Sequence, residues 1–339
     1  MAEKGEGRCG ETRQSKLSNH SNAEQLKWMD GWFVERSPFW RGQALALEVG
    51  KIEHSEHTGI QDAMVFQSSS YGNVLALDGA IQLTEKDECA YQECIVHLPL
   101  CSFPLPPRSV LVVGGGDGGV VREVVRHPSI ERIDVAELDQ RVIHLCQYYF
   151  PNVACGFSDS RVHLHVTDGR HFVDQCHAES YDAVIVDSSD PVGPGAELFT
   201  SGFYHALNRI LRPGGVVALQ AECMWIHLDT ITGIAKSCAS AFGPFSARMY
   251  ASASVPTYPC GQIGFMLCSK PDSNGNAVDL SKPQRNVDAH ASLPSLRYYN
   301  ARVHRCVMLA SNREFCWLLI YSYCPARMQS IVCIASICL

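Results

Sequence analysis

None of the 16 cysteines falls in a Cys-x-x-Cys pair, so the ligand spacing of a structural zinc site is missing and no metal is expected. The first 25 residues hold no apolar core that could serve as a secretory leader. The scattered cysteines therefore read as reduced, mostly buried thiols of a cytoplasmic protein rather than as a disulfide framework. Lys and Arg form no long stripe and the formal net charge is -7, which gives nucleic-acid binding no support. The apolar stretch from Cys306 to Leu339 is broken by Pro325 and Arg327, and its uncharged runs fall far short of a membrane span.

What is present centres on one run. Ser109-Val110-Leu111-Val112-Val113 is an apolar strand that enters Gly114-Gly115-Gly116-Asp117-Gly118-Gly119, and a helix is predicted from about Val120. Strand, glycine turn and helix open a nucleotide-binding βαβ unit. A turn built for a pyrophosphate offers bare N–H groups at a positive helix end. The carboxylate of Asp117 repels a phosphate and attracts a cation, which argues against NAD or ATP and for a nucleoside carrying positive charge. The next strand, Arg132 to Glu137, ends on an acid 20 positions later, the usual spacing for a carboxylate on ribose hydroxyls. Asp139 shares or competes for that role.

The pattern divides the chain into four parts. Residues 1–26 are polar and read as disordered. Residues 27–88 read as a small antiparallel β-domain, with short apolar runs at 44–49, 63–67 and 74–77 and an Asp78-Gly79 hairpin turn before Ala80-Ile81-Gln82-Leu83. From 89 to 305, after a helix over 85–100, strands are predicted at 109–113, 132–137, 162–166, 182–187, 215–220, 246–252 and 261–268. Helices are predicted between them at 119–127, 139–149, 170–176, 201–211 and 227–241. That alternation gives an α/β, Rossmann-like, mostly parallel sheet with helices on both faces. Residues 306–339 form an atypical apolar tail with five cysteines.

In such a sheet the site lies beyond the carboxyl ends of the strands. Asp117, Glu137, Asp168 and Asp187 all stand there, and Asp190 follows Asp187 by three residues. Asp187-Ser188-Ser189-Asp190 also reads as a helix-capping turn. Five carboxylates on one rim repel one another unless cations offset them. A diamine and a sulfonium would supply those cations, a carboxylate taking the amine proton while positioning does most of the work. Tyr91-Gln92-Glu93, and Tyr258 between Pro256 and Pro259, are the remaining polar candidates, although each tyrosine also reads as a packed ring with a wet hydroxyl.

Four motifs carry a resemblance: Gly114 to Gly119, Asp87-Glu88-Cys89-Ala90-Tyr91-Gln92-Glu93, Asp187 to Pro194, and Val255-Pro256-Thr257-Tyr258-Pro259-Cys260-Gly261 with Gln262 to Phe265. Together they closely resemble the eukaryotic spermidine synthases over about residues 31–304. The resemblance implies a class I methyltransferase-like catalytic fold. It implies transfer of an aminopropyl group from decarboxylated S-adenosylmethionine to putrescine, giving spermidine and methylthioadenosine. No cofactor is implied, because the decarboxylated donor is a co-substrate. Asp187 would be the general base. Tyr91, Asp190 and Tyr258 would hold putrescine. Gln61, Gln92, Asp117, Glu137, Asp168 and Gly169 would hold the donor, with Asp117 on the aminopropyl ammonium. A homodimer is implied, with the β-domains in the interface, and a lid between Asp187 and Leu198 that orders over the substrates.

The chain departs from the family pattern in three places. Trp40-Arg41-Gly42-Gln43 stands where members have Trp-Pro-Gly-Gln, Ala196 follows Gly195 in the lid, and the pattern ends after His304. Other readings remain open at this point. Spermine synthase runs the same chemistry on spermidine. A putrescine N-methyltransferase would use ordinary S-adenosylmethionine, and Asp117 and Gln92 oppose it. A non-catalytic paralogue would act as a dimer partner, and the complete set of catalytic side chains opposes that.

Overall fold

The computed structural model describes residues 28–188, 193–285 and 296–311. Six antiparallel strands come first: β1 (Trp28–Met29), β2 (Trp32–Glu35), β3 (Leu45–His57), β4 (Asp62–Ser68), β5 (Gly72–Leu77) and β6 (Ala80–Thr84), paired in chain order. Asp78 and Gly79 join β5 to β6 with φ of 49° and 83°, the doubly positive turn that suits strand twist. β3 runs well past the predicted 44–49. Its second half, Lys51 to His57, pairs with β4 down to His57 opposite Asp62. Polar residues fill that half and much of it is wet, so the alternation that marks a half-buried strand fades.

Helix α1 (Glu88–Ser102) links this sheet to the second. Every residue of α1 except Cys89 is buried, as expected of a helix packed on all sides. Its Asp87 cap is a clamp. Asp87 Oδ1 accepts from Thr84 Oγ1 at 2.5 Å, and Oδ2 accepts from Thr257 N and Oγ1 at 3.0 and 2.8 Å.

The second sheet holds eight strands. They are β7 (Ser109–Gly114), β8 (Arg132–Glu137), β9 (Val162–Val166), β10 (Tyr181–Asp187), β11 (Leu211–Gln220), β12 (Ala247–Ser254), β13 (Gln262–Ser269) and β14 (Met308–Ser311). The spatial order is β14-β12-β13-β11-β10-β7-β8-β9. The five from β11 to β9 are mutually parallel, and β13, β12 and β14 add on antiparallel. Helices α2 (Gly119–Val125), α3 (Gln140–Tyr149), α4 (Gly169–Gln175), α5 (Ser201–Ile210), α6 (Leu228–Phe242) and α7 (Ala301–Val307) complete the unit. The Rossmann-like α/β fold after an antiparallel sheet is thus the one expected.

Period-two side-chain alternation sorts β7 and β10 between two cores. Val110, Val112, Ala183 and Ile185 pack with Ile95 and Leu98 of α1 and Val120 and Val124 of α2. Leu111, Val113, Val184 and Val186 pack with Phe203 and Leu207 of α5 and Ile231 of α6. After β7 the chain passes to β8 and β9, then returns to lay β10 on the other side of β7. This reversal opens a crevice at the carboxyl ends of β7 and β10.

The segment beginning at 306 completes α7 and adds β14 to the sheet edge. The predicted N-terminal disorder, Asp190, and the tail from 312 onward lie outside the described residues.

Candidate active site

In the β7–β10 register Asp187 lies opposite Gly114, so the glycine turn and the second acidic motif meet at the reversal point. Gly114 has φ of +82°, and a Cβ there would sit 2.0 Å from the Asp187 carbonyl oxygen. Only glycine lets the two backbones approach so closely. Gly115 N then donates to the Asp187 carbonyl at 3.2 Å.

Two side chains of α1 reach into this crevice. Tyr91 O–H donates to Asp187 Oδ1 at 2.6 Å, and the Tyr91 ring packs on Tyr258 and Phe265 with centroids 5.7 and 5.5 Å away. Gln92 Nε2 donates to Asp117 Oδ2 at 3.0 Å, while Gly119 N donates to Asp117 Oδ1 at 2.7 Å. Gln92 itself is held from behind, because Arg122 Nη2 donates to its Oε1 at 3.1 Å.

Glu137 closes the neighbouring wall. Its carboxyl carbon lies 2.9 Å from where a Cβ on Gly116 would stand, so it lies against the glycine turn. Its Oε1 accepts from Asp139 N at 2.8 Å. Asp139 in turn accepts from Gln61 Nε2 at 3.0 Å and Thr58 Oγ1 at 2.6 Å, which brings the first sheet against the rim. On the opposite side Tyr258 O–H donates to the Gln82 carbonyl at 3.0 Å. The Asp87–Thr257 clamp holds that loop in place.

The electrostatics of the crevice are unbalanced. Burial pushes Asp187 up to about 7; the Asp117 charge adds to this, the Tyr91 hydrogen bond opposes it, and the Glu137 charge adds again. Burial likewise raises Glu137 to about 7, against the Asp139 N–H. Asp117 is raised by burial despite its hydrogen bonds from Gly119 and Gln92 and the charge of Arg122. Three carboxylates that resist ionisation together form a site for positive charge.

A sequence model described as the spermine/spermidine synthase domain matches residues 88–281. The chain belongs to the spermine/spermidine synthase family. Residues 31–85 match a second model, described as the spermidine synthase tetramerisation domain. The chain is 54% identical to spermidine synthase 2 of Arabidopsis thaliana over 81% of this chain and 80% of that one. It is 51% identical to spermidine synthase 2 of Datura stramonium over 82% and 86%. Among solved structures, a spermidine synthase bound to the transition state analogue AdoDATO superposes with a TM-score of 0.76 at 29% identity, covering 85% of this chain and 95% of that one. The Thermotoga maritima spermidine synthase gives 0.75 at 29% identity, covering 85% and 94%. The chain is an enzyme of the spermidine synthase type.

Tyr91, Gln92, Asp117, Glu137 and Asp187 surround one crevice, with the Tyr258 ring packed on Tyr91. Asp168 and Gly169 start α4 beyond the end of β9; Asp168 is exposed and caps that helix through His171 N at 2.8 Å. Gln61 touches the site through Asp139. Arg41, the charged departure near the start, is exposed and donates back to the Pro38 carbonyl at 3.3 Å.

Sequence reasoning passed over Arg122, and it quoted Glu88 and Glu93 without giving either a role. Arg122 lies in the last turn of α2, where a cation is favoured by the helix end, so its position carries no signal of a buried pairing. Glu88 supplies the pairing at 2.7 Å. Glu93 accepts the backbone N–H groups of Arg297, Tyr298 and Tyr299 at 2.8, 2.9 and 2.7 Å. Nothing local in the sequence announces that contact.

Proposed function

We propose that the chain transfers the aminopropyl group of decarboxylated S-adenosylmethionine to putrescine, with Asp187 as the proton acceptor. The observation that carries this reading is the pair of half-buried carboxylates, Asp117 and Asp187, at the reversal point of the sheet. The donor brings a sulfonium and an ammonium, and the acceptor brings two ammonium groups. Asp117 takes the donor ammonium, and Glu137 takes the ribose hydroxyls at the end of its strand. Gln61, Gln92, Asp168 and Gly169 complete the donor wall. Tyr91, Asp190 and Tyr258 hold putrescine.

The acceptor amine gives its proton to Asp187. Its freed lone pair then forms the C–N bond to the propyl carbon next to the sulfonium. The C–S bond breaks and its electrons stay on sulfur, giving neutral methylthioadenosine. A base titrating near neutrality suits this transfer. Ordinary S-adenosylmethionine carries a carboxylate that Asp117 repels, so the decarboxylated form is preferred.

The β-rich residues 27–88 serve assembly and one wall of the site, and residues 89–305 serve the chemistry. We assign a homodimer as the working unit and a cytoplasmic location. Among the described residues no helix is long and apolar enough to cross a membrane. Light scattering on the purified protein tests the dimer, and a tetramer mass would replace it.

The deciding experiment mixes purified protein with putrescine and either donor and analyses products by mass spectrometry. Spermidine from the decarboxylated donor alone supports the proposal. Spermine from added spermidine at a higher rate would reassign the acceptor. N-methylputrescine from ordinary S-adenosylmethionine would make the chain a methyltransferase, and absence of product would make it a non-catalytic partner.

A further inference from the structure

We propose that Arg122 is a positioning residue for donor selectivity: it fixes which end of the Gln92 amide faces Asp117. The inference rests on the donor reading above and adds a residue that does not touch the donor. The guanidinium is locked on three sides. Nη2 donates to Glu88 Oε2 at 2.7 Å, Nη1 donates to Glu88 Oε1 at 3.3 Å, and Nε donates to Glu123 Oε1 at 2.7 Å. Glu88 and Glu123 are both buried. Glu123 is anchored further by fully buried His97, whose Nε2 lies 3.1 Å from Glu123 Oε2. With the fork held there, the remaining reach of Nη2 goes to Gln92 Oε1 at 3.1 Å.

A primary amide has one accepting and one donating end. With its oxygen on Arg122, its NH2 must face Asp117, where Nε2 stands 3.0 Å from Oδ2. A flip would set the amide oxygen against the carboxylate and the NH2 against the guanidinium, two repulsive contacts in a poorly solvated place. The amide also fills the space over Gly119, within about 2 Å of where a Cβ would stand, so its plane has little freedom. The arrangement presents Asp117 as an oriented anion.

The test is a double-mutant cycle on the full chain with Arg122→Met, Gln92→Leu and the double variant. The readouts are KM for the decarboxylated donor, KM for putrescine, and the inhibition constant of ordinary S-adenosylmethionine. Arg122→Met is expected to raise the donor KM about tenfold and to narrow discrimination against ordinary S-adenosylmethionine by a similar factor. Putrescine KM stays within about twofold. In the Gln92→Leu background the same substitution changes donor KM by less than about twofold, because the amide it would orient is gone. Equal factors in the two backgrounds, or an unchanged donor KM, overturn the role of Arg122. Arg122→Lys is run in parallel, since it keeps a cation against Glu88 but lacks the fork; if Arg122→Met does not fold, the Lys cycle decides by the same criterion. A wild-type protein that makes no spermidine would refute the proposed reaction instead, so the two failures are distinct.

Discussion

Tyr91 donates its phenolic proton to Asp187 Oδ1 at 2.6 Å, and this contact sets how readily Asp187 holds a proton. The hydrogen bond favours the ionised carboxylate, against the burial and neighbouring charges that favour the neutral acid. Tyr91→Phe removes the opposing contribution and leaves the ring packing on Tyr258 and Phe265 in place. The acid limb of kcat/KM for putrescine is expected to move to higher pH, with about a tenfold loss of rate at pH 7. An acid limb that stays in place, or moves down, would separate Asp187 from the titration that governs rate.

Asp187→Asn removes the base and keeps an acceptor for Tyr91. Turnover is expected to fall by about two to four orders of magnitude. Donor binding, followed by calorimetry, survives within a few-fold because Asp117 and Glu137 are untouched. Turnover near that of the parent enzyme would refute the assigned role.

The same variant should be more stable than its parent at high pH. Asp187 is raised to about 7 in the folded chain, whereas an unfolded Asp titrates at about 3.9. The folded state therefore binds more protons than the unfolded state between those values, and stability falls as pH rises through them. Below pH 4 the carboxyl costs nothing, and above about 7 the cost is complete, on the order of 2–4 kcal/mol before any relief from a bound cation. Melting temperatures of Asp187→Asn and its parent, both without ligand, should converge at about pH 4 and separate by several degrees at pH 8. A gap that is constant across that range would mean that Asp187 is not the group being titrated.

Which parts of this were legible in the sequence follows from where each partner stands. Asp117, Glu137 and Asp187 end strands or turn directly after them, so the parallel-sheet rule places them without knowledge of packing. Their convergence follows from the β7–β10 register that sets Asp187 beside Gly114. Tyr91 and Gln92 were legible through the resemblance, although nothing in a 15-residue helix buried nearly all round marks which faces meet the site. Arg122 and Glu88 are 34 residues apart, and Glu93 reaches residues more than 200 positions away. Such pairs are created by tertiary packing and leave no local period. The wet half of β3 was lost for the opposite reason, since backbone pairing persists there without an apolar pattern.

Asp117→Asn tests the selectivity argument directly. The substitution removes the charge but keeps an acceptor for Gly119 N. The donor KM for decarboxylated S-adenosylmethionine is expected to rise about a hundredfold, the scale of losing one buried charge-assisted contact. Inhibition by ordinary S-adenosylmethionine should strengthen or hold. Parallel weakening of both ligands would show that Asp117 shapes the turn without reading the charge of the donor.

Gly119→Ala separates the site from the fold. Gly119 is the first residue of α2, and replacing a helical glycine by alanine ordinarily stabilises a helix by up to about 1 kcal/mol. Here the new Cβ would fall about 2 Å from the Gln92 amide atoms. Those atoms are the far end of a flexible side chain, so the helix can keep its place and the amide must leave. Displacing the amide breaks its contacts to both Asp117 and Arg122 while leaving the backbone N–H on Asp117 Oδ1. Thermal stability is therefore expected to stay within a few degrees of the parent, while donor KM rises about tenfold or more and putrescine KM changes little. If Gly119→Ala binds the donor normally, the Gln92 amide is not what holds Asp117 in register, and the glycine serves only the turn.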